Sequence, residues 1–162
     1  MVITIAGAST GGLMTRPTEA QLAQAAATGQ MPIVGAHTVG APDGGPGLPG
    51  TGWSVEHGDL RVPHFIGLHA LQVLPICVWL LARRRLDNAR RARLAVVAGG
   101  SYAALFLTLI WQALRGQAVV SPDAVTLTAL LVLAVLTAGL AVWPFRPSVD
   151  RATDDSLNWI NP

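Results

Sequence analysis

Apolar residues gather into three long runs, at about residues 60–82, 94–114 and 122–143, and polar residues are confined to the segments between them. A helix rises 1.5 Å per residue, so about 20 apolar residues bridge the roughly 30 Å hydrocarbon core of a bilayer. The pattern therefore predicts three full membrane spans, helices A, B and C. The fold class expected is an all-α helical transmembrane bundle.

A shorter apolar run, residues 1–14 (MVITIAGASTGGLM), carries no charge. It would span only about 21 Å as a helix, and it lacks the basic start of a signal peptide. Two readings stay open: an interfacial or partly inserted helix, or a transmembrane helix whose upstream part precedes residue 1. The mismatch in length favours the second.

The signals between the runs are local. Thr18 with Gln21 fits a capping box, opening a short helix that Gly29 stops. Residues 35–52 (GAHTVGAPDGGPGLPGTG) are too rich in Gly and Pro for a helix or regular strand. With several prolines and few serines they read as a compact cap over the membrane face, the alternative being a disordered connector. Asp59 is placed to cap helix A, and Pro63 falls harmlessly in its first turn. Pro75 lies mid-helix and predicts a kink, because it frees the carbonyl of Leu71. Ser121-Pro122-Asp123 is a good start for helix C. The ranges expected are 15–59 for the short helix and cap, 83–93 for a basic turn, 115–121 for a loop and 144–162 for a polar tail.

Charge gives the orientation. Arg83, Arg84, Arg85, Arg90, Arg91 and Arg93 lie between helices A and B, against Arg115 alone between B and C. The positive-inside rule then makes the A–B turn and the C-terminal tail cytoplasmic and segment 15–59 extracytoplasmic. Trp53, Trp79, Trp111 and Trp143 lie near span ends or on the cap, as an aromatic belt requires. The location implied is a membrane that the chain crosses several times.

Composition agrees. Only 12% of residues are charged, against about a quarter in soluble domains, and mean hydropathy is +0.46. The net charge of +2 sits in one arginine block rather than over a soluble face, so no nucleic-acid partner is expected. The partners expected are the lipid bilayer and other membrane subunits. Cys77 is the single cysteine and lies in an apolar run, where it acts as a small hydrophobe.

Candidate chemistry rests on the four histidines. Polar side chains within a span usually face the bundle interior. On that rule His69 and Gln72 of helix A should meet Thr108 and Gln112 of helix B in the outer half of the membrane. The cap would bring His37, Asp43, Glu56, His57, Asp59 and Arg61 above them. His69 and His64 are candidate cofactor ligands with Gln72 and Gln112, and His37 and His57 are candidate metal ligands. The cofactors in view are heme b, a metal or a quinone. His64 and His69 are about 140° apart around the helix, so they do not form the i, i+4 pair of a helical metal site. Bis-histidine heme would need a loop histidine or another subunit, because only helix A carries histidine. Each histidine also has a plain structural reading, as an interfacial or interhelical hydrogen-bonding group. No nucleophile elbow, Walker motif, HExxH or dinucleotide fingerprint is present, which disfavours a soluble-type enzyme.

The stretch GAHTVGAPDGGPGLP…GWSVEHGDLRVPHFIGLHALQVLP resembles a segment of uncharacterised multi-pass membrane proteins of GC-rich bacteria. The Arg-only basic residues and the wealth of Ala, Gly, Leu and Val fit such a genome. That resemblance implies further helices upstream and no known activity. Three functions are therefore in play. A structural or accessory membrane protein is first, a heme-, metal- or quinone-binding redox component second, and a transporter fragment third. The last is disfavoured because no charged group lies deep in several helices.

Overall fold

The structure is a computed structural model and describes residues 1–143; the expected polar tail, 144–162, and Trp159 lie outside them. It is mostly helical, with almost no strand. The order is α1 (Val2–Met14), α2 (Glu19–Thr28), β1 (Thr38–Val39), β2 (Gly58–Asp59), α3 (Arg61–Ala82), α4 (Asn88–Leu114) and α5 (Ala124–Val142). Helices α3, α4 and α5 are long and apolar enough to cross a membrane.

Side-chain caps decide several boundaries. Helix α4 begins six residues before the apolar run expected at 94, because Asp87 accepts the backbone N–H of Arg90 at 2.8 Å. The arginines at 90, 91 and 93 are therefore helical, and the turn shrinks to residues 83–87. Helix α5 is capped by Asp123 rather than Ser121: its carboxylate accepts the Thr126 N–H at 2.8 Å. The capping box of α2 is present, and the Gln21 amide does more. It donates to the Gly35 carbonyl at 2.8 Å and accepts the Gly35 N–H at 2.9 Å, tying the loop back onto α2.

The four apolar helices pack in chain order, α1 on α3, α3 on α4 and α4 on α5. They form a row rather than a closed bundle, and most of the surface of α3, α4 and α5 is left uncovered. Glycine sets the closest contact. A Cβ on Gly67 would stand 2.5 Å from Gly7 Cα and 2.7 Å from Phe106 Cε2, so α1, α3 and α4 meet at a point only glycine admits. Beside it the His64 ring nitrogen Nδ1 donates to the Gly7 carbonyl at 2.8 Å, and Thr10 Oγ1 donates to the same oxygen at 2.6 Å. Helix α1 runs antiparallel to α3, with Gly7 at the level of Gly67 and Thr10 at that of His64.

Further along the row, Tyr102 Oη donates to the Ile66 carbonyl at 2.6 Å, joining α4 to α3. Ser101 and Thr137 share a 2.7 Å hydrogen bond between α4 and α5. Arg93 closes one end of the last pair by donating to the carbonyls of Trp143 and Leu140. Arg115 does so at the other, pairing with Asp123 at 2.5 Å.

Candidate functional site

The segment between α2 and α3 folds over the adjoining ends of α3 and α4. Leu48 N donates to the Trp53 carbonyl and Gly52 N to that of Leu48, both at 2.8 Å, and Gly47 bridges Ser54, so the glycine-rich stretch closes as a tight hairpin. The stretch 35–52, expected to hold no helix or regular strand, contributes one two-residue strand, β1. Thr38 pairs antiparallel with Asp59 and Val39 with Gly58. Gly58 has to be glycine, because a Cβ there would strike the Ala113 carbonyl at the end of α4.

Asp59 is the centre of this arrangement. It is 2% exposed, yet it is a charged residue. Such a group survives burial only when every lone pair is used. Its carboxylate accepts the Ser54 N–H at 2.9 Å and the Arg61 N–H at 2.9 Å. It also accepts Arg61 Nε at 3.0 Å and Nη2 at 2.7 Å, a bidentate fork. Burial pushes the Asp59 carboxyl up, but the hydrogen bonds from Arg61 and Ser54 outweigh it and hold the group below the ordinary 3.8. Arg61 Nη2 donates in addition to the Gly52 carbonyl at 2.6 Å. Asp59 is therefore more than the simple N-cap expected: the N-cap position is Leu60, and Asp59 joins the hairpin, β2 and the start of α3 in one network.

Asp43 does a similar job for β1. Its carboxylate accepts the Thr38 N–H at 2.8 Å and the His37 N–H at 3.1 Å. Partial burial raises its pKa, and the Thr38 and His37 hydrogen bonds bring it below the usual value. The His37 ring lies between the two acids, with Nδ1 3.4 Å from Asp43 and 3.8 Å from Asp59. Next to it opens a pocket of about 210 Å³, lined among others by His37, Glu56, His57 and Arg61. Here, outside the spans, the loop residues named from the sequence do converge.

The intramembrane cluster does not form, and this expectation is corrected. Gln112 is buried but donates to the Ala118 carbonyl at 2.9 Å, holding the turn after α4. Thr108 donates to the carbonyl of Ala104 in its own helix. Gln72 is exposed, and His69 stands one turn above it on the same side of α3. That side is opposite Gly67, because contact with both α1 and α4 goes through the small residue. The choice of inner face was made by steric closeness, not by polarity.

Of the cofactor candidates, His64 is committed to the α1–α3 contact. His69 Nδ1 donates to the Phe65 carbonyl at 2.9 Å, and its ring stacks on Phe65 at 3.8 Å between centroids. Nothing brings a second histidine to the level of His69, so the described residues do not fit a bis-histidine heme within one chain. Among the described residues no three His, Cys, Asp or Glu side chains are grouped to hold a metal ion, so His37 and His57 lack a ligand set.

The sequence reading missed Gly7 and Gly11, whose four-residue spacing is the small-xxx-small signal for close helix packing in membranes. It also missed Gln21 as a tie to Gly35 and Tyr102 as a link between helices. Comparison with protein-family models, with curated protein sequences and with solved structures returned no match to this chain.

Proposed function

We propose that the protein is an accessory component of a bacterial cell membrane, anchored by α3, α4 and α5, that presents segment 15–59 as an ordered extracytoplasmic cap. The observation that carries this reading is the Asp59 network. A buried carboxylate with its oxygens fully engaged is a structural latch, not a free acid or base, and it holds the cap on the helix ends. What the cap offers to its surroundings is the pocket of His37, Glu56, His57 and Arg61, which suits a polar group of another membrane subunit or a small polar ligand. The arginines between residues 83 and 93 support an inward-facing α3–α4 turn and so an outward-facing cap. Helix α1, Val2–Met14, lies against the outer half of α3.

The histidines within the spans are architectural in this reading. One observation favours the redox alternative: His69 keeps Nε2 without a partner beside Gln72 on an open face, a place where heme or quinone from a neighbouring subunit could bind. A visible absorption spectrum of the detergent-purified full chain, before and after dithionite, separates the two. The accessory role predicts no Soret band. A Soret band that shifts on reduction and is lost in His69→Ala would overturn it in favour of the redox role.

A further inference from the structure

Phe65, His69, Gln72, Ile76 and Trp79 recur along α3 at alternating intervals of four and three. That is the repeat of a left-handed helix-pairing seam. Phe65, Gln72, Ile76 and Trp79 are all exposed, and neither α1 nor α4 covers this side, although Trp53 of the cap sets its ring edge-on to Phe65 at 5.6 Å between centroids. Two of the five positions are polar and lie within the span, where lipid provides no hydrogen-bond partner. The Gln72 amide makes no hydrogen bond among the described residues. The carbonyl of Phe65 has no proton to give, so His69 Nδ1 carries the hydrogen of their bond, and in the neutral imidazole Nε2 is the acceptor.

We propose that this seam is a homodimer interface, on which a second copy of the chain packs its own α3 in parallel. The argument for a second copy is complementarity. Copies inserted by the same route share one orientation, so a two-fold axis along the membrane normal sets equal levels face to face. Gln72 holds donor and acceptor in one amide and can bond its counterpart across the axis. The N–H it has left is one turn from the Nε2 acceptor of the other copy's His69. Every unmet polar group on the face is thereby answered by the same face. At the water edge the Arg83 guanidinium stacks 3.8 Å over Trp79, itself a seam residue, and so marks the end of the apolar stretch of the seam on that side. This inference stands apart from the role of the cap and does not depend on which side the cap faces.

The test uses the full chain in phosphatidylcholine vesicles, with Cys77→Ala as background. Donor- and acceptor-labelled copies are mixed and diluted in lipid, and association is read by energy transfer. The seam predicts a dimer, weakened about tenfold by Gln72→Leu, as expected for loss of interhelical hydrogen bonds in lipid. Ile76→Cys should form an oxidative crosslink, whereas Val135→Cys on α5, also exposed, should not. If Gln72→Leu alters the helical circular dichroism, the crosslink comparison decides alone. A monomer at every dilution overturns the proposal, whether or not another protein binds. So does a Gln72→Leu chain of native spectrum that associates like the wild type, or crosslinking at Val135→Cys as efficient as at Ile76→Cys.

Discussion

Replacing Asp59 by Asn keeps the shape of the side chain and removes its charge. One acceptor oxygen becomes an NH2 group that faces donors from Ser54 and Arg61, and the Arg61 guanidinium is left without its counter-ion. Breaking a buried ion pair by removing one partner costs about 3–5 kcal/mol. The Arg61 side chain is 32% exposed, so water recovers part of its solvation, and the cost here falls to about 2–3 kcal/mol. At about 1.4 kcal/mol per tenfold, the opening equilibrium of the cap shifts by about 30- to 150-fold. Hydrogen–deuterium exchange in micelles reads this directly through peptides covering residues 37–60. Leu60 N, bonded to the His37 carbonyl at 2.9 Å, is a useful reporter because its bond crosses the network. These peptides should exchange faster by that factor while α5 is unchanged. Arg61→Met should act on the same peptides, and the double variant should be little worse than either single one. Unchanged exchange in Asp59→Asn would refute the latch, and equal acceleration in α5 would show a global role instead.

Two other outcomes follow from the same contacts. Asp59 and Asp43 both ionise more readily in the folded chain than at the ordinary 3.8. Their stabilisation is therefore complete above the unfolded value and is lost as pH falls through the folded one. Protection of residues 37–60 should stay constant from neutral pH to about 4.5 and decline below the ordinary aspartate value, and protection that peaks in acid would contradict the assignment. Gly67→Val should prise α1 from α3 at a cost of about 1–3 kcal/mol or more, because the new Cβ meets Gly7 Cα and Phe106. Limited proteolysis should then release α1, with Gly67→Ala milder; a Gly67→Val chain as resistant as wild type would contradict the contact.

The three helices long and apolar enough to cross a membrane were legible because sequence pattern reports long apolar runs well. Helix ends were read less well: the run of apolar residues starts at 94, but the hydrogen bond that starts α4 belongs to Asp87. Asp59 was read as a cap for helix A and grouped with Arg61 and the other loop residues, and the structure brings His37, Glu56, His57 and Arg61 to the lining of one pocket. The partner of Asp59 in the hairpin, the backbone of Ser54, was not readable because it depends on how the hairpin closes. The intramembrane cluster failed for a clear reason. The rule that polar groups face inward assumes a closed bundle, and this chain lays its helices in a row. Gly7 and Gly67 turn α3 by the closeness they permit, which sends His69 and Gln72 to the open side.

In the proposed topology the cap is held on one side of the membrane and the arginine-rich turn on the other. Cysteine labelling in the Cys77→Ala background tests it most directly, with an impermeant maleimide on intact cells carrying either Glu56→Cys or Arg84→Cys. Both positions are exposed. The account predicts that Glu56→Cys reacts in intact cells and Arg84→Cys only after permeabilisation. The reverse result would invert the topology. Equal reaction at both positions in intact cells would mean that α3 does not cross the membrane at all.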